Sequence, residues 1–171
     1  MGTTTRFILP LTLVFGFVGA VSAQEDAKPK TARVKITAVK ASGKAAKGTK
    51  PAIPPELGPL KASLGKLPYD RYQFLLAPES TGVAKAPFKF EKLPEGHSAE
   101  LTWQDHKAPG DDLLVNVTIS KPAKPPAKGR VKVATLKVRS KNGASFVVQC
   151  PGAYADGDLL LVVTATRTEK K

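Results

Sequence analysis

Apolar and polar residues alternate along most of the chain from residue 32 onward. Over 32–39, Val34, Ile36 and Ala38 share one face and Arg33, Lys35 and Thr37 the other, the period of two that marks a half-buried strand. The period returns at 69–76 (Tyr72, Phe74, Leu76), 83–91 (Phe88, Phe90), 98–105 (Ala99, Leu101, Trp103) and 113–120 (Leu113, Val115, Val117, Ile119). At 130–139 the phase slips. Val131 and Val133 sit on odd positions and Leu136 and Val138 on even ones. A face switches within a strand only through an extra residue, so a β-bulge is predicted near Ala134–Thr135. Asn142-Gly143 predicts a type I′ hairpin turn, after which Phe146 and Val148 alternate again. Residues 159–163 (LLLVV) are apolar on both faces and read as a strand covered on two sides.

One stretch changes period. Leu57, Leu60, Leu64 and Leu67 are spaced three, four and three apart, which stacks them on one helical face. Pro54 and Pro55 suit the start and Pro68 the end. Gly58, Pro59 and Gly65 weaken intrinsic helicity, so a helix of about ten residues here is held by packing rather than propensity. Pro78 to Gly82, Pro94-Glu95-Gly96, Pro109 to Asp112 and 151–158 read as turns or loops. The pattern predicts a mainly β fold: an antiparallel β-sandwich or partly open barrel of about eight strands with one short helix. The last four or five strands are expected to form a meander.

The first 23 residues follow another logic. Arg6 precedes an apolar stretch from Phe7 to Val21, and Val21-Ser22-Ala23 fits a small-residue cleavage site. We expect a signal peptide at 1–23. The apolar stretch is shorter than the roughly 20 residues of a membrane span, and no later stretch qualifies, so no span is expected after cleavage. A leader at 24–31, a single domain at 32–166 and a polar tail at 167–171 follow. Removing 23 of 171 residues takes one arginine and no acid, lowering the formal charge from +13 to +12.

That charge is the most distinctive chemical feature. The chain holds 27 Lys and Arg against 14 Asp and Glu. Two basic loops stand out at 40–55 and 121–129. Lys40, Lys44, Lys47 and Lys50 lie in the first; Lys121, Lys124 and Lys128, followed by Arg130, lie in the second. Both are rich in proline or glycine and build no core. If they project from one end of the sandwich, Lys44, Lys47, Lys50, Lys121, Lys124, Lys128 and Arg130 form a docking patch for an anionic partner. Aromatic residues are few and not interleaved with these cations, so no stacking platform for nucleic acid is expected.

Reactive chemistry is sparse. One Cys excludes a disulfide framework and a Cys-rich zinc site. His97, Glu100, Asp105 and His106 are the candidates for acid–base or metal chemistry. On one strand, however, Asp105 and His106 point to opposite faces, and we read the group as polar residues near turns. Asp111-Asp112 and Asp156-Gly157-Asp158 match no calcium loop and fit ordinary turn chemistry. Cys150 shares the apolar face of Phe146 and Val148 and is expected to be buried.

The segment ELGPLKASLGKLPYDRYQFLL (56–76), with the terminal LLVVTA (160–165), resembles an uncharacterised family of predicted exported bacterial β-rich proteins. The resemblance rests on apolar patterns over most of 56–165. Where the family has a Gly-Gly-Pro-like turn before its last strand, this chain has Cys150-Pro151-Gly152. It carries over no activity. The expectation is an exported, non-enzymatic binding or structural module, periplasmic or extracellular, without cofactor. Its partner would be an anionic envelope polymer or an envelope protein. Two other readings are an enzyme or enzyme subunit with an unrecognised site, and an envelope or secretion component acting through edge strands.

Overall fold

The computed structural model describes residues 30–46, 50–105 and 112–168. The expected signal peptide, most of the leader, Lys47, His106, Asp111 and the end of the tail lie outside the described residues. Among the described residues nine strands form, in chain order: β1 (Thr31–Ser42), β2 (Arg71–Leu76), β3 (Glu79–Val83), β4 (Phe88–Phe90), β5 (Ser98–Asp105), β6 (Asp112–Pro122), β7 (Arg130–Lys141), β8 (Ser145–Tyr154) and β9 (Gly157–Thr168). A 3-10 helix (Pro55–Leu60) leads into a single α turn, α1 (Lys61–Leu64). No described helix is long and apolar enough to cross a membrane.

The strands make two antiparallel sheets, and the molecule is the expected sandwich. One sheet has the order β2-β1-β9-β8, with β3 also on β1; the other has the order β4-β5-β6-β7. β2 and β3 line up end to end along β1, joined where Ile36 N–H donates to the Pro78 carbonyl at 3.0 Å. Residues 79–82, expected within a turn from Pro78 to Gly82, therefore belong to a strand, Glu79–Val83. Pro78 and Gly82 disguise it, but β1 is twelve residues long and β3 fills the edge beside its first half, opposite β9.

Alternation puts Val34, Ile36 and Ala38 of β1 and Leu159, Leu161 and Val163 of β9 between the sheets. There they meet Leu101, Trp103, Val115, Val117 and Ile119. The opposite faces of the same two strands supply Val39, Ala41, Leu160 and Val162 to a second core. Leu57 and Leu64 cover that core, flanked by Leu60 and Leu67. The leucine spacing thus lands as predicted, although Pro59 keeps the first six residues 3-10 and leaves α1 only four residues.

Three local expectations shift. The bulge in β7 is present one residue early: Ile119 faces Ala134 and Ser120 faces Lys132, leaving Val133 extra. A second bulge, unforeseen, leaves Leu75 extra between Phe74 and Leu76. The Asn142-Gly143 turn closes with Ala144 N–H on the Lys141 carbonyl at 2.9 Å. Only Gly143 has positive φ, at 78°, the signature of a type II turn rather than type I′. It joins the two sheets instead of pairing its flanking strands. The meander accordingly runs from β4 to β7, and β8 and β9 return to β1.

Candidate functional site

Strand direction decides where the basic loops emerge. β1 and β8 both run antiparallel to β9. β6 runs antiparallel to β7, which reverses through the Asn142-Gly143 turn into β8. β1 and β6 therefore finish at the same end of the sandwich, and the loops that follow them leave from that end. Contacts at the far end agree: Asp105 at the close of β5 is held by Lys30 at 2.5 Å and by Arg167 of β9 at 2.6 Å.

Several polar and aromatic groups gather at the near end of the β1–β9–β8 sheet. The Lys40 ammonium lies 4.9 Å from the Tyr154 ring centroid and 2.8 Å from the Asp156 carboxylate. Burial, with the nearby charge of Glu95, raises the Tyr154 hydroxyl above its ordinary pKa. Burial also pushes the Cys150 thiol up to about 11, with the charge of Asp158 adding to it and that of Lys121 opposing. Beside the first loop lies a groove of about 550 Å³ bounded by Lys40, Ser42, Ile53, Arg71 and Gln73.

The loops are more built than their composition implies. In the first, Ala45 N–H bonds the Pro68 carbonyl at 3.2 Å and Ala52 N–H the Asp70 carbonyl at 2.7 Å. In the second, Ala123 N–H bonds the Gly129 carbonyl at 3.0 Å and Ala127 N–H the Lys124 carbonyl at 3.1 Å. The connector expected to be extended is thus a closed loop between β6 and β7, with Lys124 and Lys128 on it.

Three aspartates at this end are already engaged, whereas the exposed Glu56 and Glu95 have no ion pair among the described residues. Asp156 pairs with Lys40, and Asp70 lies 3.6 Å from Arg71. Asp158 accepts from the Tyr69 hydroxyl, from Gln149 at 2.7 Å and from Gly152 N–H at 2.8 Å. Lys44, Lys50, Lys121, Lys124 and Lys128 are exposed, and none has an ion-pair partner among the described residues. Arg130 differs from the others in the predicted set. Its guanidinium donates to the Gly96 and Ser120 carbonyls at 2.5 and 3.2 Å, so it braces the start of β7.

The acid–base candidates are dispersed. His97 is buried with Nδ1 3.0 Å from the Pro94 carbonyl, closing the turn before β5. Glu100 lies exposed on the outer face of the four-stranded sheet. Asp112 pairs with Arg139 at 2.6 Å. No group of three or more His, Cys, Asp or Glu converges among the described residues. Cys150 is buried, as expected. Sequence reasoning missed the Tyr69–Asp158–Gln149 network. Its one signal was a carboxylate at the mouth of an otherwise apolar strand. No family model matches the chain, and no curated protein matches it either.

Proposed function

We propose that the protein is an exported, non-enzymatic module of the bacterial envelope that docks an anionic polymer at its loop end. One observation carries the reading. Two loops far apart in sequence leave the same end of the sandwich and present five lysines without an ion-pair partner among the described residues. Like charges gathered at one end of a scaffold raise a local potential that attracts polyanions and weakens with salt. The groups best suited to chemistry have structural work instead. The Cys150 thiol is buried and pushed up to about 11, and His97 is held against a backbone carbonyl.

The test is a salt gradient on immobilised heparin and immobilised polyphosphate with the mature chain. Replacing Lys44, Lys47 and Lys50 by Gln, or Lys121, Lys124 and Lys128 by Gln, should each move elution to lower salt. The sixfold variant should move it furthest. Equal elution of the wild type and the sixfold variant would remove the proposal.

A further inference from the structure

The strand edges of the sandwich are not alike. β4 is three residues long and follows Pro87. The β2–β3 edge is interrupted at Pro78, and β8 carries Pro151 and a register shift before Tyr154. A proline offers no N–H and blunts an edge against pairing. β7 has no proline over its twelve residues, its one register shift, at Val133, leaves Ala134–Lys141 regular, and among the described residues it pairs with β6 alone. Its outward backbone N–H and C=O groups form a row open to another strand.

The register with β6 sorts its side chains. Arg130, Lys132, Lys137, Arg139 and Lys141 face outward opposite Pro122, Ser120, Asn116, Leu114 and Asp112. Val131, Leu136 and Val138 take the inner face, the last two opposite Val117 and Val115 of the core. Yet Val131 is 50% exposed and Leu136 36%, because the facing sheet does not cover this margin. No acid lies between Arg130 and Lys141. Arg130 and Arg139 are held by carbonyls and by Asp112. Lys132, Lys137 and Lys141 have no ion-pair partner among the described residues.

We propose that β7 is the docking edge for an extended acidic peptide segment, which adds to the four-stranded sheet as a fifth strand. Main-chain hydrogen bonds supply affinity in such an addition, and alternate side chains supply specificity. The complementary strand alternates. Its apolar residues cover Val131 and Leu136, and its carboxylates stand beside Lys132, Lys137 and Lys141 at the roughly 5 Å spacing of cross-strand neighbours. The same charge row argues against a second copy as occupant. Edge-to-edge pairing of two β7 strands would set cations against cations, and like charges directly opposite are destabilising.

The probe is a fluorescein-labelled ten-residue peptide of alternating Glu and Val, titrated into the mature chain by anisotropy. Two controls accompany it, one with Lys for Glu and one of the same composition with Glu and Val in blocks. The alternating acidic peptide should bind at least tenfold tighter than either control. On binding, β7 amides should gain protection from hydrogen exchange. Lys132→Gln/Lys137→Gln/Lys141→Gln should weaken it at least tenfold, and Leu136→Thr should weaken it while circular dichroism stays unchanged. The loop variant Lys121→Gln/Lys124→Gln/Lys128→Gln should bind it as the wild type does, which separates this site from the polyanion end. Absent binding, equal binding of the block peptide, or an undiminished affinity in the β7 variants would overturn the proposal.

Discussion

Leu57 and Leu64 seal the second core, and truncating them tests whether the short helical segment is held by packing alone. Both side chains are fully buried against Val39, Ala41, Leu160 and Val162. The segment beneath them has little stability of its own. It is a 3-10 helix containing Pro59 followed by four α residues, too short to nucleate in isolation. Removing a buried leucine beyond Cβ loses its transfer free energy and leaves a cavity, together about 3–5 kcal/mol in well-packed cores. A one-turn lid relaxes more easily than a central strand, so the low end applies, about 3 kcal/mol for Leu64→Ala and the same for Leu57→Ala. Once one anchor is gone the lid is partly open, and the second loses less. The double variant should cost about 4–5 kcal/mol rather than the sum, because residues sharing one cluster are not additive. That is a large share of a domain stability of roughly 5–15 kcal/mol. Urea unfolding followed by Trp103 fluorescence measures it, since Trp103 lies in the inner core and reports on the sandwich itself. Amide exchange at Gly65 and Leu67, which donate to Lys61 and Leu64 carbonyls at 2.9 and 3.0 Å, reports on the lid. A cost below about 1 kcal/mol for either single variant, or strict additivity in the double, would refute the argument.

Two glycines give opposite expectations. A Cβ on Gly157 would stand 2.2 Å from the Ala41 carbonyl oxygen, so Gly157→Ala should cost about 3 kcal/mol, the upper end for overpacking. Gly58 has open space around its Cβ position and no positive φ, so Gly58→Ala should be neutral or stabilising by up to about 1 kcal/mol; thermal unfolding of both checks the pair. Asp158, like Asp105 and Asp156, contributes acid sensitivity. The Tyr69 hydrogen bond, with those of Gly152 and Gln149, holds its carboxyl below the ordinary aspartate value despite burial. Its contribution is present above the ordinary aspartate pKa of about 3.9 and is lost as pH falls through the lower folded value. The urea-midpoint margin of wild type over Asp158→Asn should therefore be full near neutrality and shrink in strong acid; a pH-independent margin rejects this. The Cys150 thiol, raised from 9.0 to about 11 first by burial, favours folding below 9.0 and loses that contribution as pH climbs toward 11. It should resist a disulfide reagent at neutral pH in the native protein and react on adding denaturant.

What the sequence makes legible is what local periodicity encodes. Three of the five alternating segments, the two-sided LLLVV strand and the leucine ladder appear in the fold where the pattern puts them, because each reports which face of one element meets apolar surroundings; of 83–91 only Phe88–Phe90 forms a strand of its own, and at 69–76 the Leu75 bulge sends Tyr72 to the second core and leaves Phe74 37% exposed. Periodicity does not report neighbours. The strand at 79–83 stayed hidden because Pro78 and Gly82 carry turn chemistry, and only its pairing with distant Arg33 and Val34 makes it extended. The Asn142-Gly143 turn was misread for the same reason. A tight turn fixes a reversal of direction, but whether the reversed strand pairs with its predecessor depends on β9, some twenty residues further on.

The candidate site divides along that line. The identity of its cations was legible residue by residue, since a run such as KPAKPPAKG supports no core. Its location was not, because it follows from a chain of relations: β1 against β9, β9 against β8, β8 turning from β7, and β7 against β6. The first of these joins Ser42 to Gly157, and no local pattern announces it. Each antiparallel pairing or tight reversal flips strand direction once. Four such steps lie between β1 and β6, and an even number returns the two strands to the same sense. With one step more or fewer, the same lysines would lie at opposite ends, and the composition would read identically. The polyanion proposal therefore depends on topology as much as on charge. Disrupting the β1–β9 register should weaken polymer binding even in a variant that keeps every lysine.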